Sequence, residues 1–352
     1  MDETIIMISL IIILILILIL PILWKRVEEN LEIFFLIMGI VASIIAGSLN
    51  LNLIYEALMA PLFIHNIPIG IFQVVLIGGI IFAKYIGNVE NSIKKMESVL
   101  GLPLVASILI FILGISSSII SAIVASLLVA EISRVIPIEK KKKNVFLVLS
   151  AYSIGLGASL TPVGEPLSTI LVQKLSGHPY HANFFFPFYF LIDYILPLII
   201  IITIFSYFVI KNSGKKENDD KGYKLSYTEG IWRAVKIYIF VFSLVLLGSS
   251  FDLIVMNYIV HLSPSLMYLF GATSAFLDNA TLTAAIISPS MGIMQIKSFI
   301  ISLLISGGFL IPGNVPNIVI AYTHKISFKE WAKIALPIGI PFFIIFFFII
   351  NI

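Results

Sequence analysis

The chain has 352 residues, of which 59% are hydrophobic and only 12% charged. About 25% charged is usual for a soluble protein, so a water-soluble enzyme is excluded. The mean hydropathy of +1.09 points the same way. The net charge of +3 is small and its Lys/Arg sit in short clusters, which excludes a nucleic-acid binder. There is no cysteine, so disulfides, thiolate metal sites and thiol catalysis are ruled out.

A spanning helix needs roughly twenty apolar residues. In chain order, apolar stretches fall near 5–23, 33–49, 68–86, 102–136, 144–177, 184–210, 231–250, 264–293, 297–323 and 332–350. The first reads as a retained transmembrane helix, because Asp2 and Glu3 precede it and no small-residue cleavage site follows. Basic clusters at Lys25/Arg26, Lys94/Lys95, Arg134 with Lys140 to Lys143, Lys211 to Lys224 and Lys325 to Lys333 mark the cytoplasmic side. The connections 50–66, 178–183 and 250–263 hold no Lys or Arg and are expected outside.

Segment 102–136 has basic clusters at both ends, and 264–293 follows the basic-free 250–263 connection. They therefore read as hairpins that enter and leave on one side, the first cytoplasmic and the second external. Segment 102–136 has room for two short arms with a polar tip at Ser116 to Ser118 and Ser121, and whether the arms are re-entrant or fully crossing stays open. The expected count is eight full spans plus two hairpins, with both termini outside; Lys297 alone fits poorly. The fold class expected is an all-α polytopic membrane protein with inverted repeats, two re-entrant hairpins and two broken helices. Its parts are N-terminal helices in 1–67, a first repeat in 68–210, a cytoplasmic linker in 211–230 and a second repeat in 231–352.

The repeats match at their irregular points. Gly114 and Ser117 align with Gly271 and Ser274, and Leu160, Pro162 and Pro166 align with Leu310, Pro312 and Pro316. A proline inside a span removes a backbone donor and breaks the helix. Gly164, Gly313 and Asn314 weaken the same two places further. Broken helix in hydrocarbon is tolerated only inside protein or against water, and paired breaks in inverted halves point to a transport site.

Glu165 lies in the first break and Asp278 in the second hairpin. A charge at the bilayer centre costs about 2.5–3.5 kcal/mol even on the gentler scales, so such residues mark ion or proton routes by default. Asn279, Thr281, Thr161, Asn314, Asn317, Ser117 and Ser118 offer hard oxygen donors, which suit hard cations. Half-helix C-termini are expected to add negative potential there. The structural alternatives are a carboxylate held by backbone amides and serines that only ease helix packing. Glu131 is expected to pair with Arg134, and all five histidines to be solvated at the interfaces. Lys140 to Lys143 should anchor to lipid phosphates.

The phrases Ser274-Ala-Phe-Leu-Asp-Asn-Ala-Thr281 and Thr161-Pro-Val-Gly-Glu-Pro166 resemble the ion transporter superfamily, in particular NhaD-type sodium/proton antiporters and arsenite-efflux relatives. The resemblance covers most of 68–350. It implies a homodimer with a scaffold part and a transport part, with Asp278 and Asn279 in the acidic motif and Glu165 in the first discontinuous helix. The chain departs from the pattern at Ser116-Ser-Ser-Ile-Ile-Ser121 and at Pro312-Gly-Asn-Val-Pro316. The function expected is exchange of sodium or lithium for protons across the cytoplasmic membrane, without a cofactor, enzymatic step or resident metal. Uptake of a small organic anion such as a dicarboxylate with sodium is the alternative; a channel and a membrane enzyme fit less well.

Overall fold

The computed structural model describes residues 3–28, 30–63, 70–211, 227–258 and 262–351, and among them every regular element is helical. In chain order the helices are α1 (Glu3–Leu23), α2 (Lys25–Glu28), α3 (Leu31–Ala46), α4 (Leu51–Met59), α5 (Ile71–Leu100), α6 (Leu102–Ile120), α7 (Ala122–Val135) and α8 (Lys140–Ala158). They continue as α9 (Pro166–Lys174), α10 (Phe186–Lys211), α11 (Tyr227–Tyr258), α12 (Pro264–Gly271), α13 (Asn279–Ile286), α14 (Ile293–Ser306), α15 (Val315–His324) and α16 (Phe328–Asn351). Short 3₁₀ turns occupy Ala272–Ala275 and Ile311–Gly313.

Thr4–Pro21, Leu102–Ile120, Phe186–Lys211 and Phe328–Ile350 are long and apolar enough to cross a membrane. Leu31–Ala46, Ala234–Ser250 and Ile293–Ser306 are shorter apolar helices. This is a helical membrane protein. Its outward faces carry Ile8, Ile12, Ile204, Phe208, Ile344 and Phe348, as a surface solvated by lipid tails requires.

The interior is organised around α8, on which every residue from Phe146 to Ala158 is buried. It packs against α6, α7, α10 and α15. Close approach to α6 depends on Gly114, where a Cβ would sit 2.0 Å from Ser153 Oγ. Ser153 Oγ donates to Ile110 O at 3.0 Å, and Ser117 Oγ donates to Ile154 O at 3.0 Å. The pair α12 and α14 meets in the same manner. A Cβ on Gly271 would sit 2.5 Å from Ser302 Oγ, which donates to Tyr268 O. Small residues let backbones approach where lipid supplies no hydrophobic drive between helices.

Three expectations need correction. The 50–66 connection contains a helix, α4, capped by Asn50 Oδ1 on Leu53 N at 2.9 Å and seated on α11 through Leu53 and Ala57. The arm α6 is not short: 19 residues rise about 28 Å, nearly the hydrocarbon thickness. Histidine 324 is not merely solvated, since its Nε2 lies 2.7 Å from Ala130 O and 2.9 Å from Ser133 Oγ. The apparent misfit of Lys297 also has a physical answer. Its Nζ stands over the Phe190 and Tyr194 rings at 5.4 and 5.3 Å, so a cation–π contact accommodates the charge. Glu131 pairs with Arg134 at 2.6 Å as expected. The linker region 212–226 lies outside the described residues.

Candidate functional site

Two helix interruptions set up the site. The chain leaves α8 at Ala158 and restarts at Pro166, the first residue of α9, where a missing N–H costs nothing. Gly164 is required between them, because a Cβ there would sit 2.0 Å from Ala158 O. The second interruption runs from Ser306 to Val315, with Pro316 in the first turn of α15. There a Cβ on Gly313 would sit 2.5 Å from both Gly307 O and Ser274 O. Glu165 and Asn314 occupy equivalent N-cap positions with nearly the same backbone angles, φ −154° ψ 158° and φ −152° ψ 148°.

Two further helix starts face these. Ser121 precedes α7 with φ 74°, an unfavourable region for a residue with a Cβ. The first amide of α7, Ala122 N, donates to Gly164 O at 2.8 Å, which ties this start to the first interruption. Asp278 precedes α13 and caps it: Oδ2 accepts from Ala280 N at 3.0 Å, Thr281 N at 3.1 Å and Thr281 Oγ1 at 3.4 Å.

All four helix starts line one cavity of about 160 Å³. Its polar wall holds Ser121, Glu165, Asp278, Asn279, Thr281 and Asn314, with Gly164 and Pro166 in the backbone. Its apolar wall includes Val241, Leu244 and Val245 from α11 and Ile71 from α5. Glu165 is 5% exposed, and its Oε1 has no hydrogen-bond partner among the described residues. Asp278 is half-buried and close enough to Glu165 to act on it electrostatically. Among the described residues no Lys, Arg or His lines the cavity.

The expected oxygen shell is therefore only partly present. Ser117 Oγ donates to Gly114 O at 2.6 Å as well as to Ile154 O, and Ser118 Oγ donates to Ile115 O at 2.7 Å. Thr161 Oγ1 donates to Ser118 O. Asn317 Nδ2 donates to Gly307 O at 2.7 Å and Leu310 O at 2.8 Å, bracing the second interruption. These four, with Pro162, Pro312, Gly313 and Pro316, shape the surroundings without lining the cavity. Asn279 lines it, yet its Oδ1 already accepts from Ser274 Oγ.

Two corrections follow. The ends that converge on the cavity are four N-termini beside the C-terminus of α6 at Ser121, so the backbone contributes mainly positive potential. Carboxylates are the natural counter-charge at such ends. Ser121, expected at the polar tip, belongs to the cavity wall. It stands to Asp278 by the same offset that pairs Gly114 with Gly271, a signal present in the repeat alignment. Among the described residues no group of three or more His, Cys, Asp and Glu could hold a metal ion.

The fold and this cavity define a helical membrane protein with a buried acidic site. The chain belongs to the family described as protein of unknown function (DUF1646), whose model matches residues 7–352. No curated protein matches it.

Proposed function

We propose that the protein is a secondary active transporter that exchanges sodium or lithium for protons. The observation that carries this reading is that Glu165 and Asp278 share one cavity, with no basic side chain on its wall among the described residues. Two carboxylates in a poorly solvated space repel each other, so the site gains from binding either a cation or a proton. Competition between those two ligands is what exchange requires. Ser121 Oγ, Thr281 Oγ1 and Asn314 offer further oxygens on the same wall.

The architecture supports a two-part machine. The starts of α7 and α9 in one half correspond to the starts of α13 and α15 in the other, and the Gly114/Ser153 contact has its counterpart in Gly271/Ser302. On this reading 68–210 and 231–352 are inverted repeats joined by a cytoplasmic linker. The hairpins are α6/α7 and the segment from α12 to α13, and the broken helices are α8/α9 and α14/α15. The N-terminal helices join the scaffold, and alternating access comes from the hairpin-bearing part moving against it. We place the chain in the cytoplasmic membrane with both termini outside, Lys140 to Lys143 against lipid phosphates, and a homodimer as the assembly.

A second reading has its own observation. The starts of α7 and α15 carry Ser121 and Asn314 rather than acids, leaving positive helix ends uncompensated. That feature favours a small organic anion entering with sodium. A pH-sensitive dye inside proteoliposomes separates the two. Sodium or lithium, but not potassium, should dissipate an imposed pH gradient under antiport. Sodium flux that appears only when an anion such as a dicarboxylate is added, with no proton movement, would replace antiport by symport.

A further inference from the structure

The cavity face of α11 is built from Val241, Leu244 and Val245, and Gly248 continues the same face one turn later. At Gly248 α11 reaches α13. A Cβ on Gly248 would lie 2.2 Å from Thr281 Cγ2, 3.1 Å from Thr281 Cβ and 3.2 Å from Thr281 Oγ1. The glycine lets α13 approach α11 as Gly114 and Gly271 let their helix pairs approach, but here the neighbour it admits is a cavity residue.

Thr281 is the residue that serves Asp278 twice, through its backbone N–H and its hydroxyl. Any shift of Thr281 is therefore felt by the carboxylate. A methyl added at Gly248 leaves two escapes. Thr281 can turn about χ1, which takes its hydroxyl away from Asp278 Oδ2. Alternatively α13 can move off α11, which displaces the whole cap.

We propose that Gly248 is a positioning residue for Asp278: its missing side chain seats Thr281 against α11 so that α13 presents the Asp278 carboxylate to the cavity. The inference rests on the reading of Asp278 as a cation ligand for its functional consequence, while its structural half stands alone.

Gly248→Ala and Gly248→Ala/Thr281→Ser test it, because serine removes the Cγ2 that collides and keeps the hydroxyl. Hydrogen exchange followed by mass spectrometry reads the cap directly. Faster exchange at the Ala280 and Thr281 amides is expected in Gly248→Ala, with return towards wild type in the double variant. Transport reads the consequence. The hydroxyl contact is long at 3.4 Å, so the KM for sodium or lithium should rise several-fold, up to about tenfold, in Gly248→Ala and recover in the double variant.

Should Gly248→Ala alone fail to fold, a folded Gly248→Ala/Thr281→Ser with the Ala280 and Thr281 amide exchange of Thr281→Ser supports the proposal, and a double variant that also fails to fold overturns it. Unchanged exchange in Gly248→Ala, or a double variant as impaired as the single, also overturns it. A wild-type protein that exchanges no cation for protons sinks the transport reading instead, and the exchange measurement still decides the role of Gly248.

Discussion

The cavity has two halves that share a backbone plan and differ in charge. Helices α9 and α13 pack together and bring Glu165 and Asp278, whereas α7 and α15 pack together and bring Ser121 and Asn314. Serine, asparagine and aspartate all serve well at a helix start, so capping alone asks for no charge. Asp278 caps its helix with three accepted hydrogen bonds, but Glu165 makes no side-chain cap at all. The acid that caps no helix is the one whose Oε1 is buried without a partner among the described residues. The halves thus differ in charge, and also in backbone at Ser121, whose φ of 74° contrasts with −59° at Asp278.

The sharpest way to break that comparison is to remove one charge from the acidic half. Asp278→Asn keeps a good cap and should abolish exchange, by about a hundredfold or more given that a lost charged interaction costs about 1.5–3 kcal/mol and a transported ion loses its counter-charge as well. Expression and gel-filtration profile should remain those of wild type. Glu165→Gln is expected to act almost as strongly, again with a normal profile, in the same proteoliposome assay. Exchange surviving in both would end the claim that the acidic half carries the ion.

Smaller effects belong to the neutral half. Ser121→Ala removes a weak cap to Val124 N at 3.5 Å and one oxygen of the wall. It should raise the cation KM less than about tenfold, since a neutral hydrogen bond is worth about 0.5–1.5 kcal/mol. A loss as complete as that of Asp278→Asn would show that the two halves are not chemically distinct.

Smaller again is Ser117→Ala. Ser117 bridges α6 to α8 through Ile154 O away from the cavity, so about 1 kcal/mol of stability should go while transport per folded molecule stays. A thermal-unfolding midpoint lowered by a few degrees, with an unchanged KM, is the expected result.

The positions of the interruptions were readable because proline and glycine act locally. Pro162, Pro166, Pro312 and Pro316 mark the breaks together with Gly164 and Gly313, whereas Pro197, Pro337 and Pro341 stay inside continuous helices. Asp278 and Glu165 stood out because an acid in an apolar run is costly. Which helix ends face the cavity was not readable, since proline marks a break without saying which side of it turns inward. Ser117 and Ser118 misled for a physical reason: inside a helix, a serine hydroxyl satisfies itself on a carbonyl three or four residues back. Gly248 carried no sequence signal at all, because its meaning is a single contact with Thr281 from a distant helix.

Proton release on cation binding tests the central claim most directly. Sodium or lithium is added to purified protein in weakly buffered detergent, and the pH of the solution is followed. The account predicts that protons leave as the cation enters, that potassium does little, and that Glu165→Gln/Asp278→Asn releases none. A wild-type protein that releases no protons, or a double variant that releases as many, would contradict it.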